Sequence, residues 1–302
     1  MSKKKSITSQ AFTIRYLRRS RELYRRYLET KPWINQLYTT FLGLKPSMTI
    51  VDVGCGTGDF TRFLAELIHG KCRIVGVDTR AASLKTAVSE TRRARLIGKI
   101  SYREGDAYNI PIENDFADLT CCRTLLMHLP DPVRAVKEMT RVTKIGGMVA
   151  TVERGQLPSY YDPDDENFAQ LIRKLGDSYV EGVRKLEGKD LVIGNRLPSI
   201  LRNAGLSEIR AEIQADAWLL SDSRRKVEDV KAQLQFELMN LRENKKVDRK
   251  AMLAGGANGE QIDQFYRKYE SKTRELLTDS EKLKHNTAFD VGGLYLVTGR
   301  KV

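Results

Sequence analysis

The sequence is poor in the features that mark several protein classes. No apolar run approaches the roughly 20 residues needed to cross a bilayer, so no membrane span is expected. The opening "MSKKKSITSQ" is basic, but no apolar stretch follows it, which argues against a secretory leader. Cysteine is scarce, with 4 in 302 residues. Cys121 and Cys122 are adjacent, while Cys55 and Cys72 stand alone. Neither a CxxC pair nor a Cys/His ligand spacing is present, so no structural metal is expected. Reduced thiols in a cytoplasmic protein are the plain reading, with Cys121 and Cys122 buried in a strand. Internal repeats and low-complexity tracts are absent too.

Positive charge is abundant, with a formal net charge of +13. It is unevenly spread. Residues 1–31 carry ten Lys or Arg against Glu22 and Glu29, so 10 − 2 gives +8. Such an arm is either a solvated helix face or a contact for nucleic acid, anionic membrane or an acidic substrate. Residues 219–286 are charged but balanced, 15 basic against 12 acidic, and read as a solvated helical lid or partner surface.

Apolar periodicity divides the chain. Phe12, Tyr16, Leu17, Leu23, Tyr24, Tyr27 and Leu28 recur at near-helical spacing, and a second helix runs from the Lys31-Pro32 break to Leu42. From Pro46 onward strands alternate with helices. "TIVDVG", "CRIVGVD", a stretch within "ISYREGDAYNIP", "FADLTCCRTLLM" and "GGMVATVE" read as five strands. The helices between them are stopped by Gly70 and Gly98, and the last opens on Asp131 and Pro132. "RLPSILRNAGL" is a further helix, "SEIRAEIQ" alternates like a strand, and "VGGLYLVTGRK" is the final strand. This alternation predicts a mostly parallel sheet with helices on both faces.

The chemistry concentrates at strand ends. In "TIVDVGCGTGDF", Gly54, Gly56 and Gly58 follow the first strand. In open α/β sheets ligands bind there, where glycine lets backbone approach closely and a helix N-terminus offers amides. The spacing is G-x-G-x-G rather than the G-x-G-x-x-G of dinucleotide sites, and Asp59 stands where the third dinucleotide glycine belongs. A carboxylate there opposes a pyrophosphate, so a nicotinamide-dependent oxidoreductase is disfavoured. The second strand ends at Asp78, whose oxygens suit ribose hydroxyls. Asp106 in "GDAYNIP" suits an exocyclic amine, with the Ala107 amide beside it. Helix capping is the alternative reading of both acids.

Taken in order, "VDVGCGTGDF", "VGVD", "GDAYNIP", "LMHLPDP" and the "GG" before the fifth strand resemble the class I S-adenosylmethionine-dependent methyltransferases, ubiquinone/menaquinone-biosynthesis-like. The resemblance covers about residues 46–216 and the last strand. It implies a Rossmann-like seven-stranded sheet, with N-terminal helices and a helical insertion before the last strand. Residues 1–45 would then be an arm or cap, 46–218 with 287–302 the cofactor-binding core, and 219–286 the insertion. S-adenosyl-L-methionine would lie against Gly54, Cys55, Gly56 and Gly58, with Asp52 below them. Asp78, Thr79 and Arg80 would serve the ribose, Asp106 and Ala107 the adenine, and Arg123 the methionine end. An arginine at that last place departs from the small or polar residue the family often has.

Methyl transfer by in-line displacement needs alignment and a dry pocket, and a base can also help where the acceptor is an oxygen, nitrogen or acidic carbon. His128, Glu153 and Tyr16 are the candidate bases. Their alternatives are a structural turn for His128, an ion pair with Arg154 for Glu153 and core packing for Tyr16. Tyr160 and Tyr161 either line the acceptor pocket or pack a loop. The expected acceptor is a small organic molecule; RNA or protein recruited by the basic arm is the second reading, and a non-catalytic cofactor-binding regulator the third.

Overall fold

The computed structural model describes residues 31–96, 98–156 and 160–302. Tyr16 and nearly all of the basic arm lie outside them. Contacts divide the chain into two units. The larger comprises Asn35–Leu157, Glu187–Asp216 and Gly292–Val302; the smaller comprises Pro158–Leu186 and Ala217–Val291 with the described residues before Asn35.

The first strands are short and almost wholly apolar, as a sheet covered on both faces requires. β1 (Thr49–Val53) buries Ile50, Val51 and Val53, and β2 (Arg73–Asp78) buries Ile74, Val75 and Val77. Between them lies helix α2 (Asp59–Leu67), preceded by α1 (Pro32–Phe41). Helix α3 (Ala81–Arg93) leads to β3 (Ile100–Glu104). It ends well before Gly98, with Arg95 taking the left-handed conformation (φ 57°), so the expected glycine stop is displaced. Then follow β4 (Ala117–Arg123), α4 (Pro132–Val142) and β5 (Thr143–Arg154). The start of α4 is as its sequence implies: Pro132 opens it, and the Asp131 carboxylate accepts the Arg134 amide at 3.0 Å.

In the larger unit the strand order is β3-β2-β1-β4-β5-β8, with β7 (Ser207–Leu219) against β8 (Phe289–Arg300). The pairs up to β4–β5 are parallel; β5–β8 is antiparallel. With helices on both sides this is the expected Rossmann-like sheet. The order reverses direction at β1–β4, so the glycine loop after β1 sits at the switch point. The core buries Val51, Val77, Cys122, Met139, Val149 and Leu197, the last from α6 (Leu197–Asn203). Cys121 and Cys122 are buried and all four thiols are free.

In the smaller unit, α5 (Glu166–Glu187) packs with α7 (Val227–Ala254) and α8 (Gly259–Thr278); a short α9 (Ser280–Lys284) follows. Phe168, Leu175, Met252, Ile262, Phe265 and Tyr266 form its core. The two-residue strand β6 (Tyr160–Tyr161) pairs with Asp290 and Phe289. Among the described residues no helix is long and apolar enough to cross a membrane.

Candidate active site

The loop after β1 turns on glycines in the left-handed conformation. Gly54, Gly56 and Gly58 have φ of 72°, 54° and 76°, a region that side chains disfavour. Their surroundings differ. A Cβ on Gly54 would come within 2.7 Å of the Leu125 side chain, and one on Gly58 would collide with Tyr102. Among the described residues, a Cβ on Gly56 would meet only the tip of Arg80, at 3.8 Å. Gly54 and Gly58 are therefore packed from behind, while Gly56 faces space.

Asp78, at the end of β2, holds this loop in place. Its Oδ2 accepts the Gly56 amide at 2.8 Å, and its Oδ1 accepts the Arg80 amide at 2.9 Å and Arg80 Nε at 3.4 Å. The Asp78 side chain is nearly buried, whereas that of Arg80 is 71% exposed. Each carboxylate oxygen has two lone pairs, so Asp78 keeps acceptor capacity for hydroxyl donors. Thr79 and Arg80 are exposed beside it. Asp106 is exposed after β3; one oxygen accepts the Tyr108 amide at 2.8 Å and the other is open to an amine donor. Ala107 is buried next to it.

Asp52 lies beneath the loop, fully buried, and Thr61 Oγ1 donates to its Oδ2 at 2.6 Å. Burial pushes its carboxyl up to about 7, with Asp78 adding to the rise and Thr61 and Arg123 opposing it. Arg123 ends β4 with its guanidinium 5.6 Å from the Phe60 ring centre. The Cys55 thiol faces inward and is buried; its place on the loop leaves only its backbone to meet a ligand. Asp59 is tied to Arg62 at 2.7 Å and to Thr57 Oγ1 at 2.7 Å. Its charge is thus answered locally. The argument against a pyrophosphate rests on the glycine spacing rather than on a free carboxylate.

Glu153, near the end of β5, is fully buried, and it is bonded not to Arg154 but to the backbone. Its Oε1 accepts the amides of Leu125 and Leu126 at 2.8 and 2.7 Å, and Oε2 has no hydrogen-bond partner among the described residues. Successive strand residues face opposite sides, which puts Arg154 on the exposed face. Capture of these amides accounts for β4 stopping at Arg123, short of the expected Met127, and for the tight turn Leu126–His128 that follows. Burial pushes Glu153 up to about 7 against the pull of the amides. His128 closes that turn and is exposed; partial burial, then the charges of Lys189 and Arg80, lower its basicity.

Of the residues expected from sequence, the larger unit gathers Asp52, the three glycines, Cys55, Asp78, Thr79, Arg80, Asp106, Ala107, Arg123, His128 and Glu153. Tyr160 and Tyr161 belong to the smaller unit, where Tyr161 stacks on Phe289 at 5.0 Å. Tyr16 lies outside the described residues. Sequence reading missed Thr61, Tyr102 and Leu125. Thr61 is on the first turn of α2, two residues past Asp59, and that phase was the available signal. Nothing local marked Tyr102 or Leu125.

The site fits S-adenosyl-L-methionine. Gly56 leaves an open cradle over a loop clamped by Asp78, a second acid follows β3, and the positively charged Arg123 neighbours the buried Asp52. The methyltransferase domain family matches residues 51–151. A demethylmenaquinone methyltransferase of Desulfitobacterium hafniense is 28% identical over 189 residues, 60% of this chain and 75% of that protein. A demethylmenaquinone methyltransferase of Staphylococcus epidermidis is 32% identical over 42% of this chain and 51% of its own. An uncharacterized methyltransferase of Schizosaccharomyces pombe is 29% identical, covering 49% and 55%. The chain thus spans three quarters of the first and about half of the other two. Among solved structures, YcgJ from Bacillus subtilis aligns with TM-score 0.50 at 13% identity, over 89% of this chain and 98% of its own, a likeness of fold. Residues 51–151 form an S-adenosylmethionine-dependent methyltransferase domain, and its cofactor is S-adenosyl-L-methionine.

Proposed function

We propose that this protein transfers a methyl group to a small organic acceptor in the cytoplasm, with a quinone-like ring as the acceptor class. The relatives named demethylmenaquinone methyltransferases support the acceptor class, and four free thiols agree with the compartment. The observation that carries the reading is the Asp78 clamp on the Gly56 amide at 2.8 Å, which keeps an open cradle at the sheet's switch point.

The cofactor, when bound, supplies a sulfonium-borne methyl open to in-line displacement. The protein's part is positioning. Gly54, Cys55, Gly56 and Gly58 offer backbone, and Asp78 with Thr79 and Arg80 meets the sugar. Asp106 and the Ala107 amide meet the base, and Asp52 with Arg123 sets the charge at the methionine end. Glu153 is a positioning residue: by holding the Leu125 and Leu126 amides it fixes Leu125 against Gly54. His128 is exposed and, with lowered basicity, neutral at pH 7, so its ring can accept a proton from an acidic acceptor.

Calorimetry on the full chain tests the cofactor contacts: heat is expected with S-adenosylmethionine and S-adenosylhomocysteine, and none with NADH. Labelled S-adenosylmethionine with fractionated extract tests the acceptor. Label in the small-molecule fraction is the expected result; label only in RNA or protein overturns it.

A further inference from the structure

The smaller unit holds a cavity of about 50 Å³ that the cofactor site does not use. Roughly 10–15 Å³ of such volume admits one water, so this one takes a group of a few heavy atoms. Its walls include five aromatic side chains, Tyr160, Phe168, Trp218, Tyr269 and Phe289, of which Phe168 lies under Lys268 and Lys272 and Trp218 under Lys31, and two carboxylates, Glu237 and Asp290.

The polar groups do not cancel one another. Glu237 is held by Gln233 Nε2 at 2.7 Å and by the Tyr269 hydroxyl at 3.2 Å, both neutral donors. Arg225 lowers Glu237 by its charge and donates to Gln233 and to the Leu219 carbonyl. Lys272 also borders the cavity, but its ammonium is committed to Asp162 at 2.5 Å and Asp165 at 3.2 Å. The Asp290 carboxylate, carried by β8 opposite Tyr160, has no hydrogen-bond or ion-pair partner among the described residues and stays accessible within the concavity. Asp290 is an exposed residue whose carboxyl is raised by partial desolvation within the concavity, then by the charge of Glu237. Two carboxylates that repel each other, one of them unpartnered, ask for a cation. Among the described residues no group of three or more His, Cys, Asp or Glu is gathered to hold a metal ion. The remaining walls mix aliphatic side chains such as Leu234 and Leu276 with aromatic faces, and aromatic faces attract organic cations.

We propose that this cavity binds the ammonium head group of a small organic amine, with the aromatic walls around the cation and Glu237 and Asp290 as its counter-charges. The site belongs to the helical unit and stands independently of the cofactor reading, which the calorimetry above tests separately.

Trp218 gives a direct readout. The chain has two tryptophans, so a Trp33→Phe background leaves Trp218 as the only one. Its fluorescence is titrated in the full chain with tetramethylammonium and with methylammonium, and with sodium and magnesium chloride at matched ionic strength. A saturable change with at least one of the ammonium ions at millimolar concentration or below is expected, with none from the inorganic cations. Affinity should fall tenfold or more in Glu237→Gln and in Asp290→Asn. Absence of saturation with both ammonium ions, an equal response to sodium, or unchanged affinity in the variants overturns the proposal. Should Glu237→Gln not fold, Asp290→Asn decides alone, since that side chain makes no hydrogen bond to the described residues.

Discussion

At Gly58 two demands coincide, a φ of 76° and the Tyr102 hydroxyl pressed against the place of a Cβ, with Arg62 Nη1 2.9 Å from that place. Gly58→Ala should therefore cost about 1–3 kcal/mol of stability and weaken S-adenosylmethionine binding. Tyr102→Phe, which deletes the hydroxyl, should restore part of the stability loss in the double variant. Denaturant melts check this; strictly additive losses would sink the packing account. Asp52 gives a pH test. Its carboxyl titrates near 7 in the fold against an ordinary 3.8. Between those values the folded chain binds more protons than the unfolded one, so this group's contribution to stability is lost as pH rises from about 4 to about 7. Asp52→Asn removes the titration and still accepts from Thr61. Relative to the parent it should gain stability across that window by up to about 1.4 kcal/mol per pH unit; parallel curves would refute the burial argument. For Glu153, Ala leaves the Leu125 and Leu126 amides unpaired, at about 1–3 kcal/mol for each buried group. Glu153→Ala should raise KM for S-adenosylmethionine at least tenfold, whereas Glu153→Gln, which keeps the acceptor, should stay near the parent. Equal KM values for the two would argue against positioning. The positions of Asp78 and the glycines are legible in sequence because strand end and turn are local signals. The partners of Glu153 are not, since 27 and 28 residues separate them from it.

Elements were legible where one period dominates, as in β1, β2, α2 and the Pro132 start of α4. They were less so where tertiary contacts set the boundary. β5 runs from Thr143, before the Gly-Gly turn, and shifts register against β4 between Ala117 and Leu119. Nothing in the local sequence reveals what α5 packs on. Its Gly182 abuts the Ala251 carbonyl of α7, and Gly255, just past α7, abuts the Ser178 carbonyl of α5, so a Cβ at either place would strike backbone. The absent side chains let the helices approach. Gly182→Ala should push them apart and destabilise this pairing by about 2 kcal/mol or more. Faster proteolysis within residues 219–286 would register it; a protease pattern identical to the parent's would rule it out.

For the molecule as a whole, charge and chemistry occupy different stretches. Of the +13 total, +8 falls in residues 1–31, and 13 − 8 leaves +5 for the remaining 271. Every cofactor contact proposed above lies between Asp52 and Arg123. Excess cationic charge draws in nucleic acid without regard to sequence, and that attraction decays steeply with salt. A chain lacking residues 1–30, checked for folding by circular dichroism, should therefore lose most salt-sensitive retention on heparin. It should keep its S-adenosylmethionine affinity within about threefold and still label the small-molecule fraction. A collapse of cofactor affinity with the fold intact would instead make the arm a cap on the cofactor and return Tyr16 to the site. Loss of acceptor labelling alone, with cofactor binding kept, would make the arm the recruiter of the acceptor and shift the weight to an RNA or protein substrate.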